Sequence, residues 1–243
     1  MHTASMISVQ DLSLNRKNIP IIENLSFAVP SGAQVAIVGP NGGGKSTLLE
    51  VLSIQGSELV QAGTIDRAFP PLETAYLPQR STLQRDFPLL VQDVVSGGLC
   101  PRVGWLKSMT GPHRHSVEDA LITVGLPGFA LQSIQALSGG QFQRVLFARL
   151  MVQQASIVFL DEPMTGVDEP TKIDLMTLIN RWNQSGQTQL IVLHDLEIVR
   201  QFFTHVLLLA RSFSHFGLTK DVLTSENLET AYSVAQTWEG AAQ

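Results

Sequence analysis

The chain has one cysteine, Cys100, in 243 residues, so no internal disulfide can form and a reducing compartment suits it. Charge is scarce at 15% Asp, Glu, Lys and Arg, against the ~25% usual for soluble domains. No basic run appears, and the net charge of −5 argues against a protein that holds nucleic acid by broad phosphate neutralisation. Long apolar runs are missing too. The longest, VLLLA at 206–210, falls far short of the ~20 residues that span a bilayer. The opening MHTASMISVQDLSL has no basic segment followed by an apolar stretch, which excludes a signal peptide. The expectation is a cytoplasmic protein that meets a membrane only through a partner. With 44% hydrophobic residues the chain can build one large core with an inserted lobe, and a surface this poor in charge is suited to being covered.

Four short apolar runs are present: VAIV (35–38), IVFL (157–160), LIVL (190–193) and VLLL (206–209). Continuous rather than alternating runs predict parallel strands buried on both faces. Three of them end at chemistry: Gly39, Asp161-Glu162 and His194-Asp195. In open α/β sheets, ligands bind at the carboxyl ends of strands, so these groups are placed along one sheet edge. Between the strands, Pro170 starts a predicted helix with Ile173, Met176, Ile179 and Trp182 on one face. A second helix begins at Asp195, with Leu196, Val199 and Phe203 inward. Residues 7–30 read as a β-hairpin around a polar turn. Residues 80–154 hold no convincing parallel strand, are interrupted by Pro88, Pro101, Gly104, Pro112, Gly125 and Pro127, and contain two helical stretches. They read as a helical insert.

GPNGGGKST, Gly39 to Thr47, matches G-x-x-x-x-G-K-[ST] between a strand and a helix, the context that makes it a phosphate loop. Gly39, Pro40, Asn41, Gly42, Gly43 and Gly44 bring backbone N–H groups to the phosphates. Lys45 adds a point charge, and Ser46 can reach Mg²⁺. In IVFLDEP, Asp161 is placed to hold Mg²⁺, and Glu162 beside it to act as general base on an attacking water, which separates hydrolysis from mere binding. His194 at the next strand end can orient that water or bond the γ-phosphate. LSGGQ, Leu137 to Gln141, is a second glycine-rich turn at a helix start, again suited to an anion.

A phosphate loop, then LSGGQ, then LDEP, then a histidine, in this order and over nearly the whole chain, resembles the ATPase subunit of ATP-binding cassette (ABC) transporters. The resemblance implies an α/β P-loop NTPase (RecA-like) core, residues 1–79 and 155–243, with an N-terminal antiparallel β subdomain and an inserted α-helical subdomain, 80–154, carrying LSGGQ. It implies ATP and Mg²⁺ as cofactors and a head-to-tail pair of chains, each ATP lying between the phosphate loop of one and Ser138, Gly139, Gly140 and Gln141 of the other. It further implies transmembrane permease subunits as partners, a separate solute-binding protein acting with them, no nucleic acid, and a peripheral position on the inner face of the cell membrane. By the same resemblance Gln79, in AYLPQR, contacts Mg²⁺ at the junction of core and helical lobe, and Asp168, in TGVD, links the two sites of the pair.

Two positions depart from the pattern. Arg16 stands where an aromatic side chain usually stacks on adenine; a planar guanidinium can stack there instead. Gly43 replaces a common Ala or Ser and is expected to loosen the loop slightly. YLPQRSTLQRDFPLLVQDVVSGGL, the GWLK segment at 104–107, DEPMTGVD and the closing LTSENLETAYS are similar to the subfamily serving manganese, zinc and ferrous-iron uptake. Another small-solute importer and a soluble, non-transport cassette are the alternatives. His113 and His115, in GPHRHS, lack a third ligand nearby and read as a solvated loop, and Cys100 as a packing residue.

Overall fold

The computed structural model describes residues 5–79, 87–104 and 110–241, with side chains through 237. Most of the GWLK segment and the run at 80–86 lie outside the described residues. The chain opens with a hairpin of β1 (Ser5–Arg16) and β2 (Ile19–Pro30). Its turn, Lys17-Asn18, has φ of 52° and 61°, the mirror-image geometry that matches strand twist. Next come β3 (Gln34–Val38), α1 (Lys45–Leu52), β4 (Val60–Arg67) and β5 (Thr74–Leu77). A helical stretch follows: α2 (Val91–Ser96), α3 (Cys100–Val103), α4 (Gly111–Thr123) and α5 (Gly139–Met151). The chain then returns through β6 (Ile157–Asp161), α6 (Glu169–Gln184), β7 (Thr188–Val192), α7 (Leu196–Phe202), β8 (His205–Ala210), β9 (Phe213–Leu218), α8 (Thr219–Val222) and α9 (Ser225–Ala241).

All four apolar runs are neighbouring parallel strands. The main sheet has the order β5-β6-β7-β3-β8-β9, parallel except for β9, and a smaller antiparallel sheet has the order β2-β1-β4. Alternation along each strand divides the core in two. Val35, Ile37, Ile157 and Phe159 face a layer built from the hairpin and α1. Ala36, Val38, Val158 and Leu160 face the layer of helices that includes α5 and α6. With both faces covered, truncating a fully buried ring such as Phe159 is expected to cost about 3–5 kcal/mol. Strand β3 sits between β7 and β8, so the chain leaves its carboxyl end at the point where strand order reverses. That crevice is where open α/β sheets bind ligands.

The structure corrects three readings. The helical stretch contains four α-helices rather than two, because Pro101 and Pro112 occupy first-turn positions of α3 and α4, where a missing N–H costs nothing. His113 and His115 therefore lie on α4, with the His113 ring accepting from the Thr110 N–H at 3.4 Å. Helix α6 buries Leu175, Met176, Leu178 and Ile179 but leaves Ile173 56% exposed.

Candidate functional site: a nucleotide cavity at the carboxyl edge of the sheet

After Val38 the backbone turns sharply at Gly39, whose φ of +145° suits glycine alone. A Cβ there would lie 2.0 Å from the Leu209 carbonyl of β8. Gly43 is packed as well. A Cβ on it would sit 2.9 Å from the same carbonyl oxygen and 3.0 Å from that of Pro40. Its N–H donates to Pro40 O (3.2 Å) and its carbonyl accepts from Arg211 N–H (3.1 Å). Glycine here is what lets the loop lie against β8, where these two bonds also hold it. Lys45 folds back and donates to the carbonyls of Gly39 (2.9 Å) and Pro40 (2.8 Å). Burial pushes the ammonium below its usual range, against the pull of Glu162 and Asp161.

The loop opens onto a cavity of about 410 Å³ whose lining falls into two groups. Gln79 and Glu162 form one. Arg16, Ile21 and Arg211, from the hairpin and the β8–β9 turn, form the other, with Asn41 to Thr47 between them. Arg16 is not loose here: its Nη2 donates to Glu50 Oε2 of α1 at 3.1 Å.

At the end of β6, Asp161 is only 3% exposed and accepts from the Ser46 hydroxyl at 3.0 Å. Burial raises its carboxyl, Ser46 and Lys45 draw it down, and Glu162 pushes it up. The next residue leaves the strand in the left-handed region. Glu162 has φ +48° while its N–H still donates to Val192 O at 3.2 Å, so the side chain swings out of the sheet toward the loop. Its Oε2 accepts from Gln79 Nε2 (2.7 Å) and Thr165 Oγ1 (3.1 Å), and His194 Nε2 lies 2.5 Å from Oε1. Burial alone raises this carboxylate, but the bonds from His194, Gln79 and Thr165 and the His194 charge outweigh it. The net shift is downward. Three partners fill about three of the ~four acceptor positions of a carboxylate, leaving one for a water.

Gln79 borders both this cavity and a groove of about 590 Å³ lined by Tyr76, Leu146, Arg149 and Gln153, between the main sheet and α5. His194 does not line the phosphate cavity. It faces a separate one of about 250 Å³, with Gly166 and Asp195, and touches the first only through Glu162. Asp195 caps α7, its Oδ1 accepting from the N–H groups of Glu197 (2.9 Å) and Ile198 (3.2 Å).

The second glycine turn is built differently. Ser138 caps α5: its Oγ accepts from Gln141 N–H (3.2 Å), and Gln141 Oε1 accepts from Ser138 N–H (3.0 Å). Ser138 and Gly139 are exposed, and none of residues 138–141 lines the phosphate cavity. They lie beside Asp168, whose Oδ2 would be 3.8 Å from a Cβ on Gly140 and whose Oδ1 caps α6 through Thr171 N–H at 2.9 Å. The structure thus gathers Lys45, Ser46, Gln79, Asp161, Glu162 and His194, and sets LSGGQ and Asp168 apart from the cavity.

Sequence reasoning missed Thr165, Gln143 and Glu50. Thr165 had a signal, standing three residues after Glu162 in the same turn. Gln143, whose Nε2 donates to Pro163 O at 2.6 Å, and Glu50 had none, because their partners are distant in sequence. The hydroxyl, carboxylate and amide oxygens of Ser46, Asp161 and Gln79 form a hard donor set that suits Mg²⁺ shared with phosphate oxygens. Among the described residues no cluster of three His, Cys, Asp or Glu offers a cage for a metal without phosphate.

The family model for ABC transporters matches residues 22–165. The chain is 38% identical to the manganese transport system ATP-binding protein MntB of Bacillus subtilis, over 88% of this chain and 86% of that one. It is 37% identical to the zinc transport system ATP-binding protein TroB of Treponema pallidum, over 95% and 88%. Among solved structures, an inward-facing ABC transporter of metal-chelate type superposes with a TM-score of 0.84 at 27% identity, covering 95% of this chain and 90% of that one. The ADP conformation of an ATP-binding cassette shares the fold, with a TM-score of 0.78 at 20% identity over 95% and 99%. With a phosphate loop, a carboxylate-bearing turn beside it and relatives spanning nearly its full length, the chain belongs to the ABC transporter family as an ATP-binding, ATP-hydrolysing subunit.

Proposed function

We propose that this chain is the ATPase of a membrane uptake system for a divalent metal ion of the manganese, zinc and iron group, working as a head-to-tail pair beneath a separate permease. The metal assignment is supported by relatives named for manganese and zinc transport at 38% and 37% identity. The observation that carries the hydrolytic role is the Glu162 carboxylate, held by three donors beside the phosphate loop with one acceptor position open.

In this reading the backbone of Gly39 to Thr47 and the Lys45 ammonium cradle the phosphates, while Ser46, Asp161 and Gln79 hold Mg²⁺, which when bound offsets charge on the phosphate oxygens. Glu162, ionised at neutral pH, accepts a proton from the attacking water, and His194 fixes its orientation through Oε1. Ser138, Gly139, Gly140 and Gln141 complete the partner's site, and Asp168 at their side links the two. Gln79 is the hinge, since it touches Glu162 and also lines the groove that would receive a permease segment. ATP then joins two chains by filling the interface, and phosphate release parts them. The boundaries 1–79 with 155–243 and 80–154 are the moving units on this account.

The chain sits on the inner membrane face through the permease, in a system that includes a solute-binding protein. Among the described residues no helix is long and apolar enough to cross a membrane. The test is to purify tagged Glu162→Gln protein with ATP from membranes in mild detergent. Two copies with two polytopic membrane subunits, and a wild-type ATPase in the same assembly stimulated by one divalent metal through its solute-binding protein, are expected. Recovery alone or with ribosomes or DNA overturns the proposal; recovery with a permease that ignores metals overturns the metal assignment.

A further inference from the structure

Two donors meet on one oxygen of Glu162, and they stand on different supports. Gln79 Nε2 reaches Oε2 at 2.7 Å and Thr165 Oγ1 reaches it at 3.1 Å, while His194 Nε2 lies 2.5 Å from Oε1. Gln79 lines both the phosphate cavity and the groove beside α5, so its amide is open to a ligand in either space. Thr165 lines neither. It closes the turn that Glu162 opens, its N–H donating to Glu162 O at 3.2 Å, so hydroxyl and carboxylate belong to one short piece of backbone. His194, beyond the end of β7, shares the separate cavity of about 250 Å³ with Thr165.

These supports matter because the last torsion of a glutamate side chain is broad rather than staggered, so nothing in the residue itself fixes the plane of its carboxylate. Bonds to both oxygens fix it, whereas a bond to one alone leaves the group free to turn. A general base has to present a lone pair to the proton it takes, and a misdirected base loses rate without losing substrate. The plane of Glu162 rests on His194 at one oxygen and on Gln79 or Thr165 at the other. Of the last two, only Thr165 keeps its place when Gln79 engages the contents of the phosphate cavity.

Resting on the general-base reading of Glu162 above, we infer that Thr165 is a positioning residue for ATP hydrolysis. Its hydroxyl and His194 hold opposite oxygens of the carboxylate, and Thr165 keeps the base aimed while Gln79 is occupied elsewhere. It acts on the reaction only through Glu162. Thr165 is exposed, so exchanging its side chain disturbs little packing.

The test is steady-state ATP hydrolysis, together with equilibrium ATP binding, by the purified full-length chain carrying Thr165→Val, Thr165→Ser or Glu162→Gln. Thr165→Val keeps the shape and removes the donor; it is expected to lower kcat by about three- to tenfold with KM and ATP affinity within about twofold of wild type. Thr165→Ser restores the donor and is expected to return kcat to within about twofold of wild type. Because chemistry slows while binding does not, the ATP-bound dimer of Thr165→Val should also outlast that of the wild type on size exclusion. A fall in kcat smaller than about threefold, a KM that rises as kcat falls, or a Ser variant as slow as the Val variant overturns the inference. Should ATP fail to stabilise Thr165→Val against heating, Thr165→Ala takes its place under the same limits. Loss of turnover in Glu162→Gln with none in Thr165→Val sinks only this inference, whereas wild-type turnover in Glu162→Gln sinks the general-base reading with it.

Discussion

Two glycine-rich turns head two helices in this molecule, and they exist for different reasons. Ahead of α1, Gly39 and Gly43 are required by the chain's own packing: side chains there would run into the backbone of β8 at 2.0 and 2.9 Å. Ahead of α5, Gly139 is exposed, and the nearest atom to a Cβ on it is 3.8 Å away, an ordinary contact. Gly140 is tighter, at 3.2 Å from the Thr171 hydroxyl. The first turn is explained from within; Gly139 has no comparably close contact in its own fold. Backbone left exposed in this way is what a ligand approaching from outside needs, and it is what the proposed pairing of two chains would use.

The sharpest way to break this contrast is to stop the chemistry. Glu162→Gln is expected to lower kcat by about 10²–10⁴-fold while ATP still binds. It should also convert the ATP-bound chain to a stable dimer on size exclusion. Wild-type turnover in that variant would falsify the general-base role. Next in size is Lys45→Ala, which removes a charged donor to the phosphates and should weaken ATP binding by about 10–100-fold in equilibrium titration. The glycines give the most direct comparison. Gly39→Ala meets a backbone carbonyl in a strained region and should cost about 2–4 kcal/mol in denaturant unfolding. Gly139→Ala should stay within about 0.5 kcal/mol of wild type yet impair ATP-driven dimerisation. Equal stability losses in the two would erase the distinction.

The smallest effect concerns protons. Carbon-detected NMR of the free chain should find Asp161 titrating above the ordinary 3.8 and Glu162 below the ordinary 4.5. The signs follow from linkage. Glu162, lowered, stabilises the fold above its unfolded value and loses that contribution as pH falls through its folded one. Asp161, raised, opposes folding while ionised and is relieved on acidification.

The parallel core was legible because doubly covered strands read as unbroken apolar runs, and the site because three of those runs end at Gly39, Asp161 and His194. Strand β4 was not, since VQAGTIDR buries little and offers no run; it is held by pairing to β1. Strand β5 has only four residues, and its place beside β6 depends on contacts far along the chain. In the helical stretch, Pro101 and Pro112, which looked like interruptions, are helix starts, a distinction of position rather than composition. Ile173 kept the helical period but faces outward, because a periodic pattern does not say where one layer's edge falls. The apartness of His194 from the phosphate cavity was likewise invisible: a strand-end histidine and a phosphate loop share an edge in sequence logic, whereas only coordinates show Glu162 standing between them.

Gln143 joins α5 to the carbonyl of Pro163, one residue past Glu162, through a bond of 2.6 Å. One hydrogen bond thus ties the first turns of the helix that carries LSGGQ to the turn that carries Glu162. In the proposed pair of chains, this bond would join the turn that meets one phosphate to the carboxylate that serves the other. Linkage makes the influence equal in both directions. Two such bonds would cross between the two nucleotides of the proposed pair, so that occupancy of one site would be felt at the other.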